Sequence, residues 1–150
     1  MSHPIGIFDS GVGGLSILIE TRKALPEENL LYFADSGYCP YGTKPETEIL
    51  DRALKITDFL LKQGVKAIVI ACNAASTASL DGIRKQYPQM PVIGIEPAVK
   101  PACLTTKTGK IGVLSTSLTL QGKRFSSLVE KYGKNVEIFT QPATGLARSG

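Results

Sequence analysis

Six short apolar runs, at residues 5–8, 30–34, 67–71, 92–95, 111–114 and 136–139, constrain this chain more than any other feature. None has the polar alternation of a half-exposed sheet, so each reads as a buried strand. Helical periodicity fills the gaps. Leu15, Leu18, Ile19, Arg22 and Leu25 repeat at that spacing, as do Ile49, Leu50, Ala53, Leu54, Ile56, Phe59, Leu60 and Leu61. Pro45 suits the first turn of the second helix and Gly64 its C-terminal cap. Shorter helices are expected over 77–87, 98–106 and 119–132. Strand and helix in alternation imply right-handed crossovers and a mostly parallel sheet flanked by helices, an α/β fold.

The segment GIEPAVKPA, residues 94–102, carries two prolines after the fourth run and is the natural hinge. It divides the chain into a first α/β domain over 1–96 and the start of a second over 97–150. Only two runs follow the hinge and the tail QPATGLARSG suggests no element, so the second domain is expected to be incomplete. A length of 150 residues suits one domain plus part of another.

Composition removes several functions. The net charge is +4 and basic residues never run longer than two, with 7% aromatics, which argues against a nucleic-acid interface. No apolar stretch approaches the roughly 18 residues of a membrane span, and no targeting segment is expected at the start. Three cysteines without a C-x-x-C argue against a disulfide framework and for a reducing cytoplasm. With His3 the single histidine, neither a metal site nor a Ser-His-Asp mechanism is expected.

In parallel sheets, ligands gather at the carboxyl ends of the strands. The first run is followed there by Asp9, Ser10 and the GVGG loop at 11–14, the second by Asp35-Ser36-Gly37 and the YCPYGTK stretch at 38–44. Cys72, Asn73 and Ala74 follow the third, Glu96-Pro97 the fourth and Ser115-Thr116-Ser117 the fifth. GVGG with Asp35 downstream superficially matches a dinucleotide fingerprint, but Ser16 stands where that pattern wants Gly or Ala. Asp9 would also oppose a phosphate at the helix N-terminus. It suits an ammonium group instead, with Ser10 and the loop N–H groups for a carboxylate; a mere tight turn is the alternative. The Pro40–Gly42 loop reads equally as an anion-binding loop or as a turn around a buried tyrosine. Cys72 is either a small buried hydrophobe or, at a strand end before a helix, a stabilised thiolate. Cys103 fits the inert role, and Cys39 is left open.

Five blocks, IGIFDSGVGGLSIL (5–18), ADSGYCPYGTK (34–44), VKAIVIACNAAS (65–76), VIGIEPAVKPA (92–102) and TGKIGVLST (108–116), together resemble the glutamate racemases. These belong to the cofactor-independent aspartate/glutamate racemase superfamily, and the likeness covers the front half of the family's chain. It implies that L- and D-glutamate are interconverted for peptidoglycan synthesis by two cysteines, one thiolate and one thiol, without a cofactor. It assigns Cys72 as the first-half cysteine, taking the proton of D-glutamate with help from Asp9. Ser10, Tyr41, Gly42, Asn73 and the residue at 74 would hold the substrate. Three departures stand out. Family members read Cys-Asn-Thr where this chain has Ala74, and the absent hydroxyl contact is worth about 1.5–3 kcal/mol. Arg148 stands near a position where they commonly carry Glu. Their second cysteine, in a Cys-Thr-His block, lies later than residue 150, so the chain by itself is expected to racemise poorly. A non-catalytic amino-acid-binding domain and a nucleotide-binding unit are the rival readings, and a homo-oligomer is left open.

Overall fold

The computed structural model describes residues 3–143, so the expectations for Arg148 and for the end of the tail lie outside the described residues. The chain forms two compact units, Met1–Ile95 and Glu96–Gly150. The first contains β1 (Ile5–Asp9), α1 (Leu15–Ala24), β2 (Leu30–Ala34), α2 (Glu46–Lys62), β3 (Ala67–Ile70), α3 (Asn73–Gln86) and β4 (Val92–Gly94), with short 3-10 turns at Ser36–Tyr38 and Tyr41–Thr43. Its strands form one all-parallel sheet in the order β2-β1-β3-β4. The second contains α4 (Val99–Thr105), β5 (Lys110–Ser115), α5 (Ser117–Gln121), α6 (Lys123–Tyr132) and β6 (Glu137–Pro142), with β5 and β6 paired in parallel.

Register decides what each sheet face meets. Gly6, Phe8, Ile68, Ile70, Val92 and Gly94 alternate with their neighbours and share one face of the first sheet. A Cβ on Gly6 would stand 3.1 Å from Val65 and 3.2 Å from Leu60, and one on Gly94 would stand 2.7 Å from Leu80, so α2 and α3 cover that face. Phe33 packs against Phe59 of α2 in a tilted pair with ring centroids 5.5 Å apart. α2 buries Ile49, Ala53, Ile56, Thr57 and Leu60, a helical stripe of one face. The chain leaves α2 through Gly64 at φ +75°, a left-handed conformation that favours glycine. The start of α1 lies against the opposite face, at the carboxyl end of β1.

Four expectations are corrected. Pro45 is the cap residue of α2, not a member of its first turn. α3 begins at Asn73, four residues before the expected start at 77, because its first turn consists of small side chains that carry no apolar period. The helix expected over 119–132 is interrupted at Gly122, whose extended backbone (φ −70°, ψ 144°) ends α5 and caps α6. The second, fifth and sixth strands are not fully buried: β2 is half-buried and ends at an exposed Ala34, while Leu114 is 68% and Phe139 53% exposed, since β5 alternates half-buried and exposed positions as a strand covered on one face does.

A tight approach in the first unit is at Gly14. Its backbone is ordinary (φ −66°), yet a Cβ there would lie 2.8 Å from Asp9 Cβ and 2.9 Å from Ala71 Cβ. Gly14→Ala is therefore expected to destabilise the chain by about 1–3 kcal/mol in urea titration. Gly37→Ala, where a Cβ meets nothing within 4 Å, should change stability by less than about 1 kcal/mol.

Candidate active site

β1 ends in Asp9, which is buried at 5% exposure. Its carboxylate accepts the Gly14 N–H at 2.6 Å and the Ser10 N–H at 2.7 Å. The anion position at the N-terminus of α1 is thus filled by the protein's own carboxylate. A phosphate placed there would meet Asp9 directly, which removes the physical basis of the dinucleotide reading. The glycine loop serves close approach: only a residue without Cβ lets α1 start this near to Asp9, Ala71 and the Tyr32 hydroxyl.

β3 stops at Ile70, and Cys72 adopts an extended conformation (φ −141°, ψ 125°) as the cap of α3. Its Sγ accepts the Ala75 N–H at 3.5 Å and lies 3.4 Å from Ser10 Oγ. Ser10 Oγ is also 3.4 Å from Asp9 Oδ1. That hydroxyl has one proton and two acceptors beside it. Donating to Asp9, it receives the thiol hydrogen of Cys72; turned round, it supports a thiolate. Burial pushes the Cys72 thiol above its ordinary value, and the Asp9 charge adds to this. Hydrogen bonds from Ser10 and the Ala75 N–H pull the other way without prevailing. The helix start donates to sulfur as the sequence suggests, but without a ligand the thiol is the favoured form. Beside it, Asn73 Oδ1 is buried with no hydrogen-bond partner. Ala74, 5% exposed, presents only a methyl group.

The stretch from Asp35 to Lys44 hangs on one side chain of α2. Arg52 donates to Asp35 through Nε (2.8 Å) and a terminal nitrogen (2.5 Å), a forked pair, and its guanidinium lies 4.3 Å from the centroid of the Tyr38 ring. Tyr41 donates its hydroxyl to Asp35 at 2.5 Å and is 1% exposed. Burial pushes Asp35 up, but the hydrogen bonds of Arg52 and Tyr41 and the charges of Arg52 and Lys44 bring it below the ordinary carboxylate value. Burial first, then the bond to Asp35, drives the Tyr41 hydroxyl far above the usual phenol range, so it stays protonated and donating. The tyrosine expected to hold substrate has therefore committed its hydroxyl to the protein, leaving its main chain, with Gly42, for a ligand.

Asp9, Ser10, Cys72 and Asn73 come together as the motifs suggest, and the Tyr41–Thr43 turn packs against α3, the helix that Cys72 caps. Two further residues belong to this group and carry no motif. Tyr32, one strand away, directs its hydroxyl to Gly11 O at 3.4 Å; burial and the Asp9 charge raise it to about 12. Its signal was positional only: in the β1–β2 register it stands opposite Ile7, two residues from Asp9. Arg52 gave none, being one of several charged residues of α2. Cys39 is exposed, with Sγ 3.3 Å from where a Gly11 Cβ would stand; Cys103 lies on α4 of the second unit. Among the described residues no cluster of three His, Cys, Asp or Glu side chains is placed to hold a metal, and no helix is long and apolar enough to cross a membrane.

A parallel sheet with a thiol at a strand-to-helix junction, beside a capped carboxylate and an unpaired amide oxygen, defines an α/β protein built around a cysteine. The chain belongs to the Asp/Glu/Hydantoin racemase family, whose model matches residues 16–148. Among similar proteins, the glutamate racemase of Ectopseudomonas mendocina is 51% identical over 143 residues, covering 95% of this chain and 54% of that protein. The solved glutamate racemase of Escherichia coli, in complex with L-glutamate and the activator UDP-MurNAc-Ala, superposes with a TM-score of 0.87 at 34% identity over 95% of this chain and 54% of that one. That of Francisella tularensis, in complex with D-glutamate, gives 0.75 at 35% identity over 93% and 52%. The chain spans about half the length of the curated relatives it matches.

The opposing influences on Cys72 are separable by alkylation. With iodoacetamide labelling of Cys72 followed by peptide mass spectrometry, the pH midpoint is expected above that of a free thiol. Ser10→Ala, which deletes a bond that lowers the pKa, should move it further up. Asp9→Asn, which deletes a charge that raises it, should move it down.

Proposed function

We propose that Cys72 is one of the two proton-transfer groups of a glutamate racemase, working with Asp9 and Ser10. The observation that carries this reading is the placement of Cys72 Sγ 3.4 Å from Ser10 Oγ, itself within reach of the Asp9 carboxylate. Asp9 presents negative charge toward the thiol. A substrate ammonium beside Asp9 would offset that charge and so lower the Cys72 pKa only once glutamate is bound. As the ammonium binds, the thiol would release its proton to solvent and Ser10 would turn its hydroxyl hydrogen toward sulfur; the resulting thiolate would take the α-proton of D-glutamate and become a thiol again. The buried Asn73 oxygen offers the ammonium a second acceptor, and the main chain of Tyr41 and Gly42 offers donors to a carboxylate. Ala74 supplies no hydroxyl, and the substrate is held without that contact.

Inversion requires an acid on the opposite face of the carbon. A second cysteine fills that role in this reading, and the resemblance assigns it to the Cys-Thr-His block in the later part of the family's chain, not to Cys39 or Cys103. These 150 residues alone are therefore expected to exchange the α-proton of one enantiomer with little inversion. The D-glutamate produced by the full reaction would serve peptidoglycan synthesis in the cytoplasm. The activator in the E. coli relative's structure, UDP-MurNAc-Ala, supports that role. The raised thiol pKa favours a second reading, an amino-acid-binding domain that does no chemistry.

Proton exchange decides between them. In deuterium oxide, NMR is expected to show incorporation at Cα of D-glutamate, falling by at least roughly a hundredfold in Cys72→Ala. Calorimetric binding of glutamate without exchange would support the binding domain instead, and absence of both would overturn the two readings.

A further inference from the structure

The mechanism above uses the main chain of Tyr41 and Gly42 but leaves unexplained what holds it. The Tyr41–Thr43 turn is a single 3-10 turn, and the residues before it are largely exposed. A segment of that kind has little intrinsic stability. Its fixed points are three contacts that meet at two side chains: the Arg52–Asp35 fork, the Tyr41 hydroxyl on Asp35 Oδ2, and the Arg52 guanidinium over Tyr38. Asp35 is 3% exposed and both of its oxygens accept hydrogen bonds from this set, so its carboxylate is turned to the protein. Asp35 also continues the β1–β2 ladder, donating its N–H to Asp9 O at 2.8 Å. One residue thus ties the substrate loop to the backbone of the carboxylate that faces the thiol.

We infer that Asp35 and Arg52 are positioning residues for substrate, acting through Tyr41 to fix the 41–43 main chain against α3, the helix that Cys72 caps. The inference rests on the proposed glutamate chemistry. Arg52 works here by geometry: lysine keeps the charge but loses the fork and the flat face that stacks on Tyr38. Tyr41 works by its hydroxyl as a tether, not as a ligand. Removing either end of the tether leaves the thiol, Ser10 and Asp9 untouched and loosens one wall of the site.

The test measures Cα deuterium exchange of D-glutamate against substrate concentration for the wild-type chain, Arg52→Ala, Arg52→Lys, Asp35→Asn, Tyr41→Phe and the Asp35→Asn/Tyr41→Phe pair. Thermal melts establish the folded fraction of each. The half-saturating concentration is expected to rise roughly ten- to a hundredfold in each single variant, with a smaller fall in the saturated rate. The double variant should be no worse than the worse single one, because both changes cut the same contact. Lys55→Ala, one turn along α2 in an exposed pair with Asp51, should leave both quantities unchanged. A purely structural role predicts the opposite split: a loss of saturated rate in proportion to the unfolded fraction at unchanged half-saturation. That result overturns the inference, as does full rescue by Arg52→Lys. Because Tyr41→Phe keeps the buried ring, it still decides the matter if Arg52→Ala fails to fold. A wild-type chain that neither binds nor exchanges glutamate overturns the proposed function as well, whereas exchange unaffected by all four single variants overturns this inference alone.

Discussion

The Asp9 carboxylate is held by the N–H groups of Gly14 and Ser10, and the rest of the site follows from that arrangement. Burying a carboxylate is costly unless donors replace its lost water. Here the start of α1 supplies them, which requires the helix to come so close that Gly14 can carry no Cβ. The same bonds bring Ser10 round to face Cys72 and leave a fixed negative charge at the carboxyl end of the sheet. An anion-binding helix terminus is thereby converted into a place for a cation.

That fixed charge sets the character of the thiol. Burial and Asp9 favour the protonated form, while Ser10 and the start of α3 favour the thiolate. Opposed influences of this kind suit a group that, in the proposed reaction, must both accept and return a proton. The raised thiol pKa also limits the thiolate, the form open to oxidation. Arg52, Asp35 and Tyr41 act on geometry instead of charge: their bonds are internally complete and contribute shape to the loop beside the thiol.

Much of the first unit was legible in the chain because its information is local. The apolar runs at 5–8, 30–34 and 67–71 became β1, β2 and β3 almost to the residue, and the repeat from Ile49 to Leu61 became α2. Asp9, Ser10, Cys72 and Asn73 were visible because strand ends of a parallel sheet converge whatever the intervening helices contain. The start of α3 was hidden, because Ala74, Ala75 and Ser76 pack closely without any apolar period. Arg52 was hidden because a long-range ion pair leaves no spacing to detect. The commitment of the Tyr41 hydroxyl was hidden for the same reason: a tyrosine in a Pro-Tyr-Gly loop looks alike whether its hydroxyl faces a ligand or the protein. Exposure of β5 and β6 was misread because apolar composition records what a strand can bury, not which of its faces is covered.

The measurement closest to the central claim is a crystal structure of the chain with D-glutamate bound. The account predicts the ammonium beside Asp9 and the Asn73 oxygen, the α-carbon about 3.5 Å from Cys72 Sγ, and the substrate spanning toward the main chain of Tyr41 and Gly42. A glutamate bound with its carboxylate against Asp9, or with its α-carbon turned away from Cys72, would contradict it.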